Sequence, residues 1–158
     1  MKKLLILTLA VLSFAACNQA AKQPEQNNPV QISPIETYNF TETINKKPVV
    51  VAFMAGFCGW CKKMVPYMDE LAGKVPAEKA DVIIAFMDED PSNLVNLEPV
   101  KATKNIKIYH GALDLMQEYD VRGFPTIMLF KDGKEVETWH GYSPEHVGSI
   151  LETLNNLK

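Results

Sequence analysis

Three apolar runs, residues 49–54, 82–87 and 126–130, most constrain what this chain can fold into. None alternates apolar with polar side chains, so each reads as a strand covered on both faces. Helical periodicities lie between them. After the first run, Met64, Met68, Leu71, Ala72 and Val75 recur at the spacing of one helix face, with Pro66 expected to interrupt and kink that helix. Pro91 suits the first turn of a second helix carrying Leu94, Leu97 and Val100, whose extent Pro99 limits. Residues 106–109 alternate like a short strand, and residues 112–119 read as a helix with Leu115, Met116 and Tyr119 inward. Asp132-Gly133 then marks a tight hairpin into a strand over 135–140. Ser143 is expected to cap, and Pro144 to start, a last helix facing inward through Val147, Ile150, Leu151 and Leu154. The alternation predicts an α/β fold: a mixed sheet with helices on both sides, antiparallel only at the last hairpin.

The beginning of the chain has a different character. Lys2 and Lys3 precede an apolar run over 4–16, whose 13 residues fall short of the roughly 20 that cross a bilayer as a helix. It reads as a secretion signal over 1–16. Phe14-Ala15-Ala16 leads into Cys17, and polar residues follow; the pattern resembles a bacterial lipobox and tether, though Phe14 replaces the usual aliphatic residue. That resemblance implies cleavage before Cys17, lipid on its sulfur and attachment to the outer side of a bacterial membrane. Residues 17–34, rich in Gln, Asn, Pro and Lys, lack the apolar content to offset ordering entropy and read as a flexible spacer. Residues 35–158 suffice for one domain with its own core. Without Lys2 and Lys3, 14 basic residues face 19 acidic ones, a balance of −5. An acidic domain argues against a nucleic-acid partner and leaves membrane attachment to the lipid on Cys17.

The chemistry lies in Phe57-Cys58-Gly59-Trp60-Cys61-Lys62, where the first strand gives way to a helix. Two thiols three positions apart at a helix start can open and close a disulfide. A thiolate on Cys58 would face the positive end of the helix dipole and unpaired backbone N–H groups, which makes Cys58 the attacking sulfur. Cys61, one turn along and more buried, would resolve the resulting mixed disulfide. Two further signatures follow in order: Gly123-Phe124-Pro125-Thr126 before the third buried strand, and Gly141 after the hairpin. Together the three resemble the thioredoxin fold over residues 35–158. The additional helix and strand between Asp88 and Tyr119, with Lys62-Lys63-Met64-Val65-Pro66-Tyr67-Met68, look most like the membrane-tethered TlpA/ResA group of thiol-disulfide reductases.

The resemblance implies that the Phe124–Pro125 bond is cis, that Pro125 faces the cysteines, that the Phe124 backbone pairs with an extended substrate, and that Thr126 belongs to the same substrate-binding turn. Phe57, Trp60 and Phe124 would rim the dithiol. Gly59 and Trp60 would tune its potential; the absence of a histidine between the cysteines leans towards reduction. It also implies protein thiols and disulfides as substrates, a membrane thiol carrier of the CcdA/DsbD type as electron donor, and no cofactor beyond the Cys58–Cys61 disulfide. The sequence departs from these relatives where they keep an acid: Ala52 and Met64 occupy both positions. Cys61 must lose its proton to water, to a substrate group, or to a carboxylate brought near by folding. Asp88, Glu89 and Glu36 are the candidates, with solvated loop charge as their ordinary role.

Two alternatives share these residues: a thiol oxidase or isomerase of the same fold, and a non-catalytic binding module such as a copper chaperone. The latter draws on the six methionines beyond Met1. Most of them fall at core positions, however, and one Cys-Xaa-Xaa-Cys pair with scattered His110, His140 and His146 supplies too few ligands for closed zinc.

Overall fold

The computed structural model describes residues 30–157. Cys17, the expected signal and most of the expected spacer lie outside them. Six strands form one sheet in the order β1-β4-β3-β2-β5-β6. Strands β2 (Val49–Met54), β3 (Asp81–Phe86) and β5 (Thr126–Lys131) carry the three apolar runs. All six residues of β2 are fully buried, as its central position requires. β1 (Ile32–Pro34) and β4 (Lys107–His110) complete the parallel side, and β6 (Lys134–His140) closes the other edge. The Asp132-Gly133 hairpin is present with both residues at positive φ, 52° and 73°, as a tight two-residue turn requires.

Helices cover both faces. α2 (Gly59–Lys74) and α6 (His146–Asn156) pack one side of the sheet, where Met54, Ile84 and Ile127 meet Met64, Met68, Leu71 and Ile150. α1 (Phe40–Lys46) and α5 (Leu113–Glu118) pack the other, where Phe53 and Phe130 meet Phe40, Ile44 and Met116. The aromatic rings of Phe40 and Tyr119 both meet Phe130 edge-on. Burying a large apolar side chain contributes about 1.5–3 kcal/mol, so these two layers supply the main driving force for the sheet sandwich.

Several expectations are corrected. The spacer expected over 17–34 ends before Ile32, because Ile32–Pro34 pairs in parallel with β4 and the folded domain therefore begins earlier than residue 35. Antiparallel pairing enters at β5 against β2, one step before the last hairpin. Pro66 does not interrupt α2, which continues to Lys74, although the proline removes one donor from the ladder. The single helix expected after Pro91 is two short turns, α3 (Ser92–Val95) and α4 (Glu98–Lys101). Pro99 opens the second instead of ending the first, since a first-turn position needs no N–H. The last helix begins at His146, not Pro144: Ser143 Oγ accepts the Glu145 N–H within a preceding turn.

Candidate active site

The C-terminal end of β2 and the start of α2 place the two cysteines. Cys58 is the N-cap of α2, and its sulfur accepts the Cys61 N–H at 3.1 Å. A capping position leaves backbone N–H groups pointing outward, and here a sulfur occupies the role usually taken by a hydroxyl or carboxylate oxygen. Cys58 is half-buried and reachable, whereas Cys61 is fully buried; both are free thiols. Burial pushes the Cys61 thiol well above the ordinary thiol range, and its contact with Cys58 adds to the shift.

The Phe124–Pro125 peptide is cis. Phe124 lies across the dithiol, its carbonyl accepting the Cys58 thiol at 3.7 Å. Pro125 is anchored from behind, because the Gly141 N–H donates to its carbonyl at 2.8 Å. Thr126 is buried and donates its hydroxyl to the Gly123 carbonyl at 2.8 Å, closing the turn that carries the proline. Gly141 itself sits at φ +74°, a conformation that side-chain-bearing residues rarely adopt. The structure thus brings Cys58, Cys61 and Phe124 together, with Pro125 and Thr126 in the turn that carries Phe124.

Aromatic rings flank the half-buried Cys58. Phe57 is 77% and Trp60 57% exposed, high for such large apolar groups. Phe57 meets Phe124 edge-on at 6.5 Å. Trp60 stacks on Tyr142 at 5.6 Å, Tyr67 braces Tyr142 at 5.9 Å, and the Lys63 ammonium lies 4.3 Å from the centre of the Trp60 ring. Tyr142 and Tyr67 are functional candidates that sequence reasoning missed. Tyr142 directly follows Gly141, but nothing in its residue type ties it to Trp60. Gly59 is exposed and has open space where a Cβ would stand, so its smallness is not imposed by packing.

The carboxylates separate clearly. Ala52 and Met64 are fully buried in the apolar cluster that contains Cys61. Glu36 lies elsewhere, lining a groove with Asp114 and Glu118. Glu89 rests against Gly111. Of these three candidates, Asp88 touches the loop of the motif, accepting the Gly56 N–H at 2.8 Å. Among the described residues, no group of three or more His, Cys, Asp or Glu side chains is arranged to hold a metal ion. No helix among them is long and apolar enough to cross a membrane.

Comparison with known proteins points the same way. Residues 31–112 match the Thioredoxin family. The chain is 30% identical to a thioredoxin of Staphylococcus haemolyticus over 115 residues, covering 72% of this chain and 88% of that one. It is 29% identical to protein disulfide isomerase-like 1-1 of Arabidopsis thaliana over 147 residues, 92% of this chain. The chain spans only about a quarter of the length of that isomerase. Among solved structures it resembles an exposed lipoprotein thioredoxin of Streptococcus pneumoniae, with a TM-score of 0.58 and 24% identity over 74% of this chain and 90% of that one.

Proposed function

The chain belongs to the thioredoxin family, and from that premise we propose that it is a thiol-disulfide oxidoreductase that reduces protein disulfides through Cys58 and Cys61. The single observation that carries this reading is the pair itself: a reachable sulfur capping a helix, with a buried thiol one turn behind it.

The Cys58 thiolate attacks one sulfur of a client disulfide. A Cys58–client disulfide forms, and the departing client sulfur leaves as a thiolate that takes up a proton. Cys61, having lost its own proton, attacks the Cys58 sulfur and expels the second client thiolate. Two electrons and two protons pass to the client, and Cys58–Cys61 is left bridged. A thiol carrier returns the pair to the dithiol. Run backwards, the same steps oxidise a client dithiol; the absence of a histidine at Gly59 and Trp60 supports the reducing direction.

Phe57, Trp60 and Phe124 receive the client, with Pro125 and Thr126 holding Phe124 over the sulfur. Exposed aromatics beside a site tend to anchor partners. The Trp60–Tyr142 stack extends that platform. Gly59 and Trp60 tune the potential of the pair.

The protein works outside the cytoplasm, anchored by lipid on Cys17, and draws electrons from a membrane thiol carrier of the CcdA/DsbD type, as in the TlpA/ResA group. The lysine-apolar-cysteine pattern over 2–17 supports the anchor, as does the likeness to a lipoprotein thioredoxin. Insulin reduction by the protein, by Cys58→Ser and by Cys61→Ser tests the reading. Activity in the wild type and its loss in both variants is expected; equal activity in all three sinks it.

A further inference from the structure

Of the three acidic residues after β3, two make contacts away from the motif. Asp90 accepts the Ser92 N–H at 2.8 Å and so starts α3, while Glu89 rests on Gly111. Asp88 does something different. Its backbone is fixed on two sides: the Met87 N–H before it donates to the Met54 carbonyl at 3.0 Å, and its own carbonyl accepts the Gly111 N–H at 2.8 Å. From that fixed point its carboxylate reaches across to the Gly56 N–H at 2.8 Å, two residues before the attacking cysteine.

The contact is built into the packing. A Cβ on Gly56 would stand 2.8 Å from Asp88 Oδ1 and 2.9 Å from Leu94 Cδ2, and Leu94 is fully buried. A side chain at position 56 would therefore force the Asp88 carboxylate or the buried Leu94 to shift. The turn that follows is closed by the Cys58 N–H donating to the Ala55 carbonyl at 3.0 Å. At its end the Cys58 sulfur meets the Cys61 N–H. One short chain of contacts thus runs from β3 to the reactive sulfur.

We propose that Asp88 is a positioning residue of the dithiol, holding the Gly56 N–H so that the Cys58 sulfur stays seated on the N-terminus of α2. This rests on the thiol-disulfide reading above. Without the acceptor, the turn loosens and the N–H contact to sulfur weakens. The Cys58 thiolate is then less stabilised, attack slows, and the bridged form gains relative to the dithiol.

Two uncharged variants of the full chain separate the acceptor from the charge. Asp88→Asn keeps an acceptor oxygen, and Asp88→Ala keeps none. The readouts are the rate constant for attack on hydroxyethyl disulfide and the equilibrium constant with glutathione. Relative to Asp88→Asn, Asp88→Ala is expected to attack about three- to tenfold more slowly, the range that the net free energy of one hydrogen bond converts to. Its equilibrium should move towards the Cys58–Cys61 disulfide by a similar factor; tenfold corresponds to about 30 mV for this two-electron couple. Asp88→Leu, similar in size and without an acceptor, replaces Asp88→Ala if the latter loses its cooperative melt. Coincidence of Asp88→Asn with the acceptor-free variant in both readouts overturns the proposal. A wild-type protein that neither reduces insulin nor equilibrates with glutathione overturns the underlying function instead, and the positioning role with it.

Discussion

Resolution of the mixed disulfide is expected to be the step that this site slows. Burial is the larger cause of the raised Cys61 thiol, ahead of its contact with Cys58. Burial persists when Cys58 is tied to a client, so the elevation persists in the intermediate that matters. Each unit by which a thiol is raised lowers its thiolate fraction about tenfold near neutral pH. Its thiolate becomes about threefold more nucleophilic in return, from a Brønsted slope of about 0.4–0.5, so the net rate falls about threefold per unit. An ordinary thiol would level off near pH 8.5; Cys61 should not. The perturbation is pH itself. The substrate is the Cys58 mixed disulfide with a fluorescent thiol-bearing peptide, and stopped-flow release of the peptide reports attack by Cys61. The rate is expected to rise about tenfold per pH unit from 6 through 9 without levelling. A plateau with a midpoint at or below about 8.5 would show Cys61 ionising as an exposed thiol does, and would overturn the expected slow resolution.

The same elevation has a thermodynamic signature. In Cys58→Ser, Cys61 is the sole thiol of the pair, and burial, the larger cause of its elevation in the parent protein, should still hold its folded-state ionisation above the unfolded one. The stabilising contribution is fully present below about pH 8.5 and lost as pH rises beyond it, by up to about 1.4 kcal/mol per unit; denaturant melts that are flat from pH 8 to 10 contradict this. Gly56→Ala forces a Cβ against Asp88 and buried Leu94. It should cost about 1–3 kcal/mol, the usual range for overpacking, read as a lower thermal midpoint. Tyr142→Ala removes the ring that stacks on Trp60. Aromatic pairs contribute about 0.5–1.5 kcal/mol, so KM for a disulfide peptide with flanking phenylalanine should rise about two- to tenfold; an unchanged KM would leave the Trp60–Tyr142 stack without a role in binding.

Much of the architecture was legible because its signals are local. Residues 49–54, 82–87 and 126–130 carry their burial in their composition, and all three lie in the sheet at or near the expected bounds. The hairpin at Asp132-Gly133 was equally local. β1 was not legible, because three residues at the end of a polar, proline-containing stretch have too little apolar content to announce a strand; β4 recruits them. The break between α3 and α4 was hidden for a related reason. Leu94 and Val100 are both buried, and their spacing fits a single helix as well as two turns. At the site, the cysteines and the turn at Pro125 were marked by residue type alone. Tyr142 was not, since its meaning comes from a ring 82 positions earlier in the chain. Asp88 was visible as a carboxylate, but its partner is the backbone N–H of Gly56, and a backbone partner leaves no trace in side-chain pattern.

Attack by Cys58 and resolution by Cys61 are read out by incubating Cys61→Ser and Cys58→Ser with a disulfide-bonded protein client and counting the covalent adducts. Cys61→Ser is expected to accumulate a stable adduct through Cys58, released by added reductant, and Cys58→Ser to accumulate none. Adducts formed equally by both variants, or formed through Cys61 alone, would contradict the account.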